Sequence, residues 1–310
     1  MPFFSICIPV YKNIQFLKRL LDSIVSQTFS DYEIIITDDS PDNSVVDFLR
    51  GNYKLENLKY FKNQVALGTP ENWNEGIRQA TGKWIKLMHD DDWFVSNEAL
   101  QLFYNATIAS RSTFFFCAYQ NVYLDQNKNE LVHLPSARWK RVTKYFPALY
   151  ARNVIGPPSV VLVKNGSGIL YDSRMKWLVD IDFYIRVLHN TTAHHIPELL
   201  VSVGVGKEQV TQYTHNRPEV EIPEGLLLQS KLGPLSFKNI LYYDAWWRLI
   251  RNLGIRDASS FRQYASNEAI PSQIDDIISL QKFIPLSLLK IGPISKIFMS
   301  ISWVKNLVSK

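Results

Sequence analysis

Two apolar rhythms alternate along the first 120 residues. Residues 4–10 form a short continuous apolar run, long enough for a buried strand and too short for a helix. Asn13 then caps a helix whose Leu17, Leu20, Leu21, Ile24 and Val25 recur as one stripe. A second β-rich run, 33–37, stops at Asp38-Asp39-Ser40-Pro41-Asp42, where short polar residues and a proline read as a loop. Residues 58–61 predict a third strand. Thr69-Pro70-Glu71 reads as N-cap, first helical position and acidic first turn of a helix that runs to about Ala80 and is ended by Gly82. Residues 84–88 predict a fourth strand that runs into Asp90-Asp91-Asp92. Ser96 starts another helix through about Ala109, and 113–119 predict a fifth strand.

Such alternation predicts an α/β fold with a mostly parallel sheet covered by helices. Ligands of these sheets bind beyond the carboxyl ends of the strands, where both acidic clusters fall. The second half is less regular. It offers a β-branched run within 157–164, a helix over 178–188 with Ile181, Ile185 and Leu188 on one face, and a strand over 196–205. From about Glu224 the pattern turns helical and richer in Lys and Arg.

Composition narrows the class. Of 310 residues, 46% are hydrophobic and 20% charged, which excludes a disordered chain, a collagen and a coiled-coil rod. Lys and Arg number 34 against 29 Asp and Glu, a net +5 that suits an anionic ligand or membrane surface. The basic residues form no dense run in the first half, so nucleic acid is not an expected partner. Cys7 and Cys117 each lie in a strand-like run and read as buried thiols in a reducing compartment. The opening MPFFSICIPVYK lacks the pattern of a secretory signal, and no apolar run reaches the roughly 18–20 residues needed to span a bilayer. The expectation is a cytoplasmic protein that can sit at the inner face of a membrane.

The acidic clusters admit several uses. Asp90-Asp91-Asp92 offers the oxygen ligands that Mg²⁺ and Mn²⁺ prefer, and a bound cation would offset the repulsion among three adjacent carboxylates. It could equally supply a general base, or form a solvated loop whose last Asp starts the next helix. A carboxylate at Asp38-Asp39 can accept from the imide N–H of a pyrimidine base, bind ribose hydroxyls, or close an Asx-turn. Asp180 and Asp182 stand two positions apart on a helix, so at most one faces a site. A single carboxylate there suits general-base work, or both favour the start of the helix.

Taken in order, several segments resemble the family 2 glycosyltransferases of GT-A fold. Phe4-Ser5-Ile6-Cys7-Ile8-Pro9-Val10-Tyr11 resembles the opening strand and its nucleotide-contacting turn. Ser23 to Ser40, ending Ile34-Ile35-Ile36-Thr37-Asp38-Asp39-Ser40, resembles the helix–strand–Asp-Asp block. Asn74-Glu75-Gly76-Ile77 and Ala80-Thr81-Gly82-Lys83-Trp84-Ile85 lead to His89-Asp90-Asp91-Asp92-Trp93, where the DxD motif belongs. His89 falls where the first Asp of an Asp-x-Asp-Asp motif would stand. The segment 177–187 is similar to the family's late acidic segment, with Val179 in place of its Glu, and Gly156-Pro157-Pro158-Ser159 resembles the acceptor-side lining.

The resemblance implies a Rossmann-like GT-A domain over 1–215, with a nucleotide-sugar half at 1–110 and an acceptor half at 111–215, followed by a helical region at 216–310. It implies transfer of a sugar from a nucleotide-diphospho-sugar, most simply a UDP-sugar, to a hydroxyl of a glycan or lipid-linked acceptor, with inversion, in bacterial-type cell-surface polysaccharide synthesis. Asp39 would bind the base, with Pro9 and Tyr11 near base and ribose and Lys62 approaching the diphosphate. Asp90 would meet the ribose, Asp91 and Asp92 would hold Mn²⁺ or Mg²⁺, and Asp180 would be the base with Asp182 in reserve.

Near the carboxyl end, Pro293 begins a helix after Gly292 in which Ile294, Ile297, Ile301, Val304 and Val308 share a face, with Lys296, Lys305 and Lys310 off it. That stripe either lies in a membrane interface, within 284–310, or packs on its own domain. Trp139, Trp177, Trp246 and Trp247 read as core aromatics before sugar platforms, and His194-His195 as strand-edge residues without metal spacing. Two other classes compete: a nucleotide-sugar or polysaccharide-binding module without catalysis, and a Mg²⁺-dependent phosphohydrolase. The latter needs a nucleophilic Asp after the first strand, where Pro9-Val10-Tyr11-Lys12 stands.

Overall fold

The computed structural model describes residues 1–126, 128–206, 214, 216–265 and 269–308. The chain forms two compact units. The first comprises Met1–Ser136, Val154–Ser173 and Phe183–Gln209; the second comprises Ala137–Asn153, Arg174–Asp182 and Val210–Lys310. The second unit thus draws in two segments from earlier in the chain as well as the carboxy-terminal region.

Among the described residues nine strands make the sheet of the first unit: β1 (Phe4–Val10), β2 (Tyr32–Asp38), β3 (Leu58–Lys62), β4 (Trp84–Leu87), β5 (Trp93–Phe94), β6 (Phe114–Tyr123), β7 (Lys128–Val132), β8 (Val161–Lys164) and β9 (Ala193–Val205). Their order is β3-β2-β1-β4-β8-β6-β9-β5, with β7 on β6. β1 is buried along its whole length and has a parallel neighbour on each edge. The expected strands at 33–37, 58–61, 84–88 and 113–119 are present, with ends shifted by at most four residues. Register fixes the working edge. Val10 pairs with Asp38, and Cys7 with Leu87, so the loops after β1, β2 and β4 leave the sheet side by side.

The opposite end of these strands is stitched by one carboxylate. Glu33 accepts from Ser5 Oγ (2.6 Å), Thr81 N (2.7 Å), Thr81 Oγ1 (2.8 Å), Gly82 N (3.1 Å) and Lys59 Nζ (2.7 Å). Burial acts to raise its pKa, but the bonds from Lys59, Ser5 and Thr81 outweigh it and hold the group at about 2. Gly82 is needed here, since a Cβ would strike the Ser5 backbone.

The helices of this unit are α1 (Ile14–Val25), α2 (Ser44–Asn52), α3 (Glu71–Gln79) and α4 (Ala99–Ala109). Asn13 caps α1 as expected, accepting from Phe16 N at 3.1 Å. Two other starts differ from the sequence reading. α3 begins at Glu71 with Pro70, not Thr69, at the cap position; Asn72 is instead held by a reciprocal pair with Thr37, Nδ2 to O at 3.1 Å and Oγ1 to O at 2.9 Å. α4 begins at Ala99, not after Ser96, because Gln27 from the end of α1 caps it: its Oε1 accepts from Leu100 N at 2.9 Å while its Nε2 donates to Ser96 O at 2.7 Å. Both starts are set by long-range partners that no local pattern reveals.

The remaining helices are α5 (Ser136–Val142), α6 (Val179–Leu188), α7 (Pro218–Leu232), α8 (Ile240–Asn252), α9 (Ala258–Arg262), α10 (Ser272–Lys282), α11 (Leu286–Leu289) and α12 (Gly292–Val308). The second unit has its own core of Ile222, Leu226, Phe237, Tyr242, Trp246, Trp247, Ile250 and Ile277. Trp246 and Trp247 are thus core residues, as the sequence suggested. α12 overturns one reading of its stripe. Its buried face is Ser295, Met299, Ser302 and Asn306, while Ile297, Ile301, Val304 and Val308 are 60%, 56%, 51% and 82% exposed. The polar face turns inward because it satisfies buried aromatic groups: Ser295 accepts from Trp247 Nε1 at 3.0 Å, and Ser302 and Asn306 meet the Tyr243 hydroxyl at 2.7 and 3.0 Å. Lys310 lies outside the described residues. Cys7 and Cys117 are free and buried.

Candidate active site

The loops at the carboxyl edge of β1, β2 and β4 bring most of the first-unit candidates together. Lys12 N donates to Ser40 Oγ at 2.8 Å and Asp39 N to Val10 O at 3.0 Å, which joins the Pro9–Tyr11 turn to the Asp38-Asp39 turn. Asp90 joins the same edge, since the Tyr11 backbone amide meets its carboxyl. The Tyr11 side chain is exposed.

Asp38 is fully buried and closes the Asx-turn, accepting from Ser40 N at 2.8 Å; it also accepts from Tyr60 Oη at 2.7 Å and Lys62 Nζ at 3.0 Å. The Lys62 ammonium donates as well to the carbonyls of Ser40 and Asp42, so it braces the β2 turn. Asp39 Oδ1 accepts from Asn63 Nδ2 at 2.7 Å and Leu67 N at 3.0 Å, and Oδ2 from Gly68 N at 2.7 Å. Gly68 holds φ at +72°, which lets the loop fold back on that carboxylate. With two lone pairs per oxygen, Asp39 keeps one acceptor position on Oδ2 beyond these three bonds.

The loop after β4 is held chiefly through its main chain. His89 N donates to Ser159 Oγ at 3.0 Å, and Arg19 Nη2 donates to Asp91 O at 2.8 Å while its guanidinium lies 3.7 Å from the Trp93 ring centroid. Gly204 on β9 approaches so closely that a Cβ would run into the Asp91 carbonyl, and its N–H reaches Asp92 Oδ1 at 3.0 Å. Beneath the loop, the buried Lys86 ammonium donates to the carbonyls of Ser159 and, at 3.3 Å, Val161. Burial lowers its pKa to about 8, against the pull of Cys117 and Asp92.

The Asp92 side chain is less well provided for. One ligand atom from each of His89, Asp91 and Asp92 lies within 4.8 Å of the others. Asp92 is 1% exposed, yet its Oδ2 has no hydrogen-bond partner, and neither has His89 Nε2. Burial, then the Asp91 charge, pushes Asp90 up to about 8 and Asp92 well above the usual carboxylate range, although Ser159, Gly204 and Lys86 favour the charged form of Asp92. Burial drives the His89 imidazole below its ordinary value, toward the neutral form. An orphaned carboxylate oxygen, a second carboxylate and a neutral imidazole form a donor set that fits a divalent cation. Asp90 is not part of that group.

Asp180 belongs to the second unit, in the first turn of α6. Its Oδ2 accepts from Asn153 Nδ2 at 2.8 Å and its Oδ1 from Ile181 N at 2.8 Å. Burial outweighs these bonds and raises its pKa to about 6. Asp182, by contrast, is buried in an ion pair with Lys231 at 2.6 Å, which makes it structural. Arg19, Lys86 and Gly204 carried no signal in the sequence, because their link to the loop spans long stretches of chain. His89 did carry one, as the departure from an all-Asp motif.

The chain is similar to known proteins in sequence and in fold. The sequence profile of glycosyl transferase family 2 matches residues 5–167, slightly more than half of the chain. The GalNAc(5)-diNAcBac-PP-undecaprenol beta-1,3-glucosyltransferase of Campylobacter jejuni is 30% identical over 119 residues, 38% of each chain. The structure of S. aureus TarS 1-349 in complex with UDP-GlcNAc is similar in fold, with a TM-score of 0.57 at 15% identity over 98% of this chain and 92% of that one. The mannosyltransferase PcManGT of Pyrobaculum calidifontis, in complex with GDP-Man and Mn²⁺, gives 0.54 at 16% identity over 100% and 88%.

Proposed function

The chain belongs to glycosyl transferase family 2, and on that premise we propose that it moves a sugar from a UDP-sugar to a hydroxyl of a glycan or lipid-linked acceptor, with inversion at the anomeric carbon. Its fold is GT-A, and it is a transferase. The observation that carries the donor side is the His89-Asp91-Asp92 group, with its orphaned Asp92 Oδ2, beside the Tyr11 and Asp39 turns. TarS holds UDP-GlcNAc and PcManGT holds GDP-Man with Mn²⁺, which supports a nucleotide-sugar and a cation here. The single acceptor left on Asp39 matches the one imide N–H of uracil. Pro9 and Tyr11 flank base and ribose, Asp90 meets the ribose, and Lys62 acts through the turn it braces.

Asp91 and Asp92 would hold Mn²⁺ or Mg²⁺, which when bound stabilises negative charge on the departing diphosphate. Asp180 takes the proton of the acceptor hydroxyl as its oxygen bonds to the anomeric carbon. The bond from that carbon to the nucleoside diphosphate breaks on the opposite face. A carboxylate with a pKa near 6 is suited to this, being ionised at neutral pH yet more basic than an ordinary Asp. The phosphohydrolase alternative lacks its nucleophile, since no Asp follows β1.

The setting we propose is cell-surface polysaccharide synthesis at the inner face of a membrane. The Campylobacter relative is named for an undecaprenol-linked acceptor, and the outward apolar face of α12 suits an interface. No described helix is long and apolar enough to cross a bilayer.

A thermal-shift screen of nucleotide sugars with Mn²⁺ or Mg²⁺ tests the reading. The cognate donor at about 100 times its Kd should stabilise by about 2.7 kcal/mol. UDP-sugars should stand out and require the metal. Equal shifts with UDP, GDP and CDP donors, or none with any, would count against it.

A further inference from the structure

We propose that His89 is a third protein ligand of the cation held by Asp91 and Asp92, so that the site presents an imidazole nitrogen beside its carboxylate oxygens. The inference rests on the metal part of the reading above and adds to it both a residue and a preference among cations.

Three observations carry it. The first is proximity, since ligand atoms of His89, Asp91 and Asp92 fall within 4.8 Å of one another and Asp90 is not among them. The second is an orphaned carboxylate oxygen with an imidazole nitrogen near it. Asp92 Oδ2 is buried with no hydrogen-bond partner, and His89 Nδ1 stands 3.9 Å from it. That spacing is too long for a hydrogen bond. It is the spacing of two ligands on one ion, since donors about 2.1 Å from a common centre lie about 3–4 Å apart. The third is that the imidazole is held in place without using its nitrogens. The His89 N–H is fixed by Ser159 Oγ, Met88 N donates to Cys7 O at 2.9 Å, and the Trp73 ring packs on the imidazole at 4.6 Å between centroids, tilted by 41°.

The chemical consequence is selectivity. Mg²⁺ is a hard ion that keeps oxygen ligands and water, whereas Mn²⁺ lies further toward the metals that accept imidazole. A mixed nitrogen–oxygen site therefore favours Mn²⁺ over Mg²⁺ more strongly than three carboxylates would. His89→Asp restores the all-oxygen set and should narrow that ratio.

The test is pulsed EPR on the full chain with bound Mn²⁺, first with the metal alone and then with UDP added. Wild type should show the ¹⁴N coupling of a coordinated imidazole, and His89→Ala should lose it. Calorimetric titration should show Mn²⁺ affinity falling about tenfold or more in His89→Ala, while His89→Asp still binds. The spectrum of the wild-type protein decides the matter even if a variant misfolds. Asp91-dependent Mn²⁺ binding without nitrogen coupling would overturn the role of His89 and leave the metal reading standing. An affinity unchanged by His89→Ala would do the same. Absence of any Asp91-dependent Mn²⁺ binding, with or without UDP, would overturn both.

Discussion

Asp38-Asp39 and Asp90-Asp91-Asp92 stand at the same edge of one sheet, a strand apart, and Asp38 and Asp92 are treated in opposite ways. Asp38 and Asp39 each accept three hydrogen bonds, from Ser40, Tyr60 and Lys62 and from Asn63, Leu67 and Gly68 respectively. In the second cluster the main chain receives much of the support, from Arg19 and Ser159, while Asp92 Oδ2 is left without a partner. A buried acceptor left unpaired costs about 1–3 kcal/mol, and more when charged. The contrast separates two jobs that look alike in sequence. Asp38, fully served, shapes a turn, and a buried oxygen left unserved, as on Asp92, marks a place where something else supplies the charge.

Asp180 is the intermediate case and offers the largest test. Each of its oxygens has one partner, yet burial still raises it to about 6. Asp180→Asn should lower kcat by about 10²–10⁴ and leave donor binding nearly intact. The wild-type rate should fall as pH drops below about 6, because the protonated carboxyl cannot accept the acceptor's proton. Wild-type turnover in the variant would mean that partial satisfaction is no guide to chemistry.

A smaller effect compares the clusters directly. Asp38→Asn should cost about 1–3 kcal/mol in urea unfolding, since it strips a buried partner from Tyr60 and Lys62. Without metal, Asp92→Asn should cost clearly less, or stabilise, because burial already disfavours the charged carboxylate there and the amide carries no charge. Equal losses at the two positions would erase the distinction.

The smallest effect on the fold belongs to α12. Ile301→Glu should change stability by no more than about 0.5 kcal/mol, because the side chain already faces outward. It should nonetheless reduce flotation with anionic liposomes. Unchanged flotation would leave that face without a membrane role.

Local pattern made much of this legible. Strands β1 to β4, the Asn13 cap and the two acidic loops follow from short apolar runs, a capping residue and turn chemistry, all of which act within a few residues. The pattern was blind where a partner comes from far along the chain. Gln27 moves the start of α4, Thr37 holds Asn72 at the start of α3, and Lys231 removes Asp182 from the candidates. It also left α12 open between an outward and an inward apolar stripe, and hydrogen bonding by Tyr243 and Trp247 drew the polar face inward.

What the amino-acid order determined alone was the alternation of strands and helices, and hence which loops share the edge of a parallel sheet. Only the folded chain decided which carboxylates at that edge are satisfied. Hydrogen-bond donors for Asp38, Asp39 and Asp92 come from segments up to 112 residues away, and a buried oxygen is orphaned or served according to what arrives beside it in space.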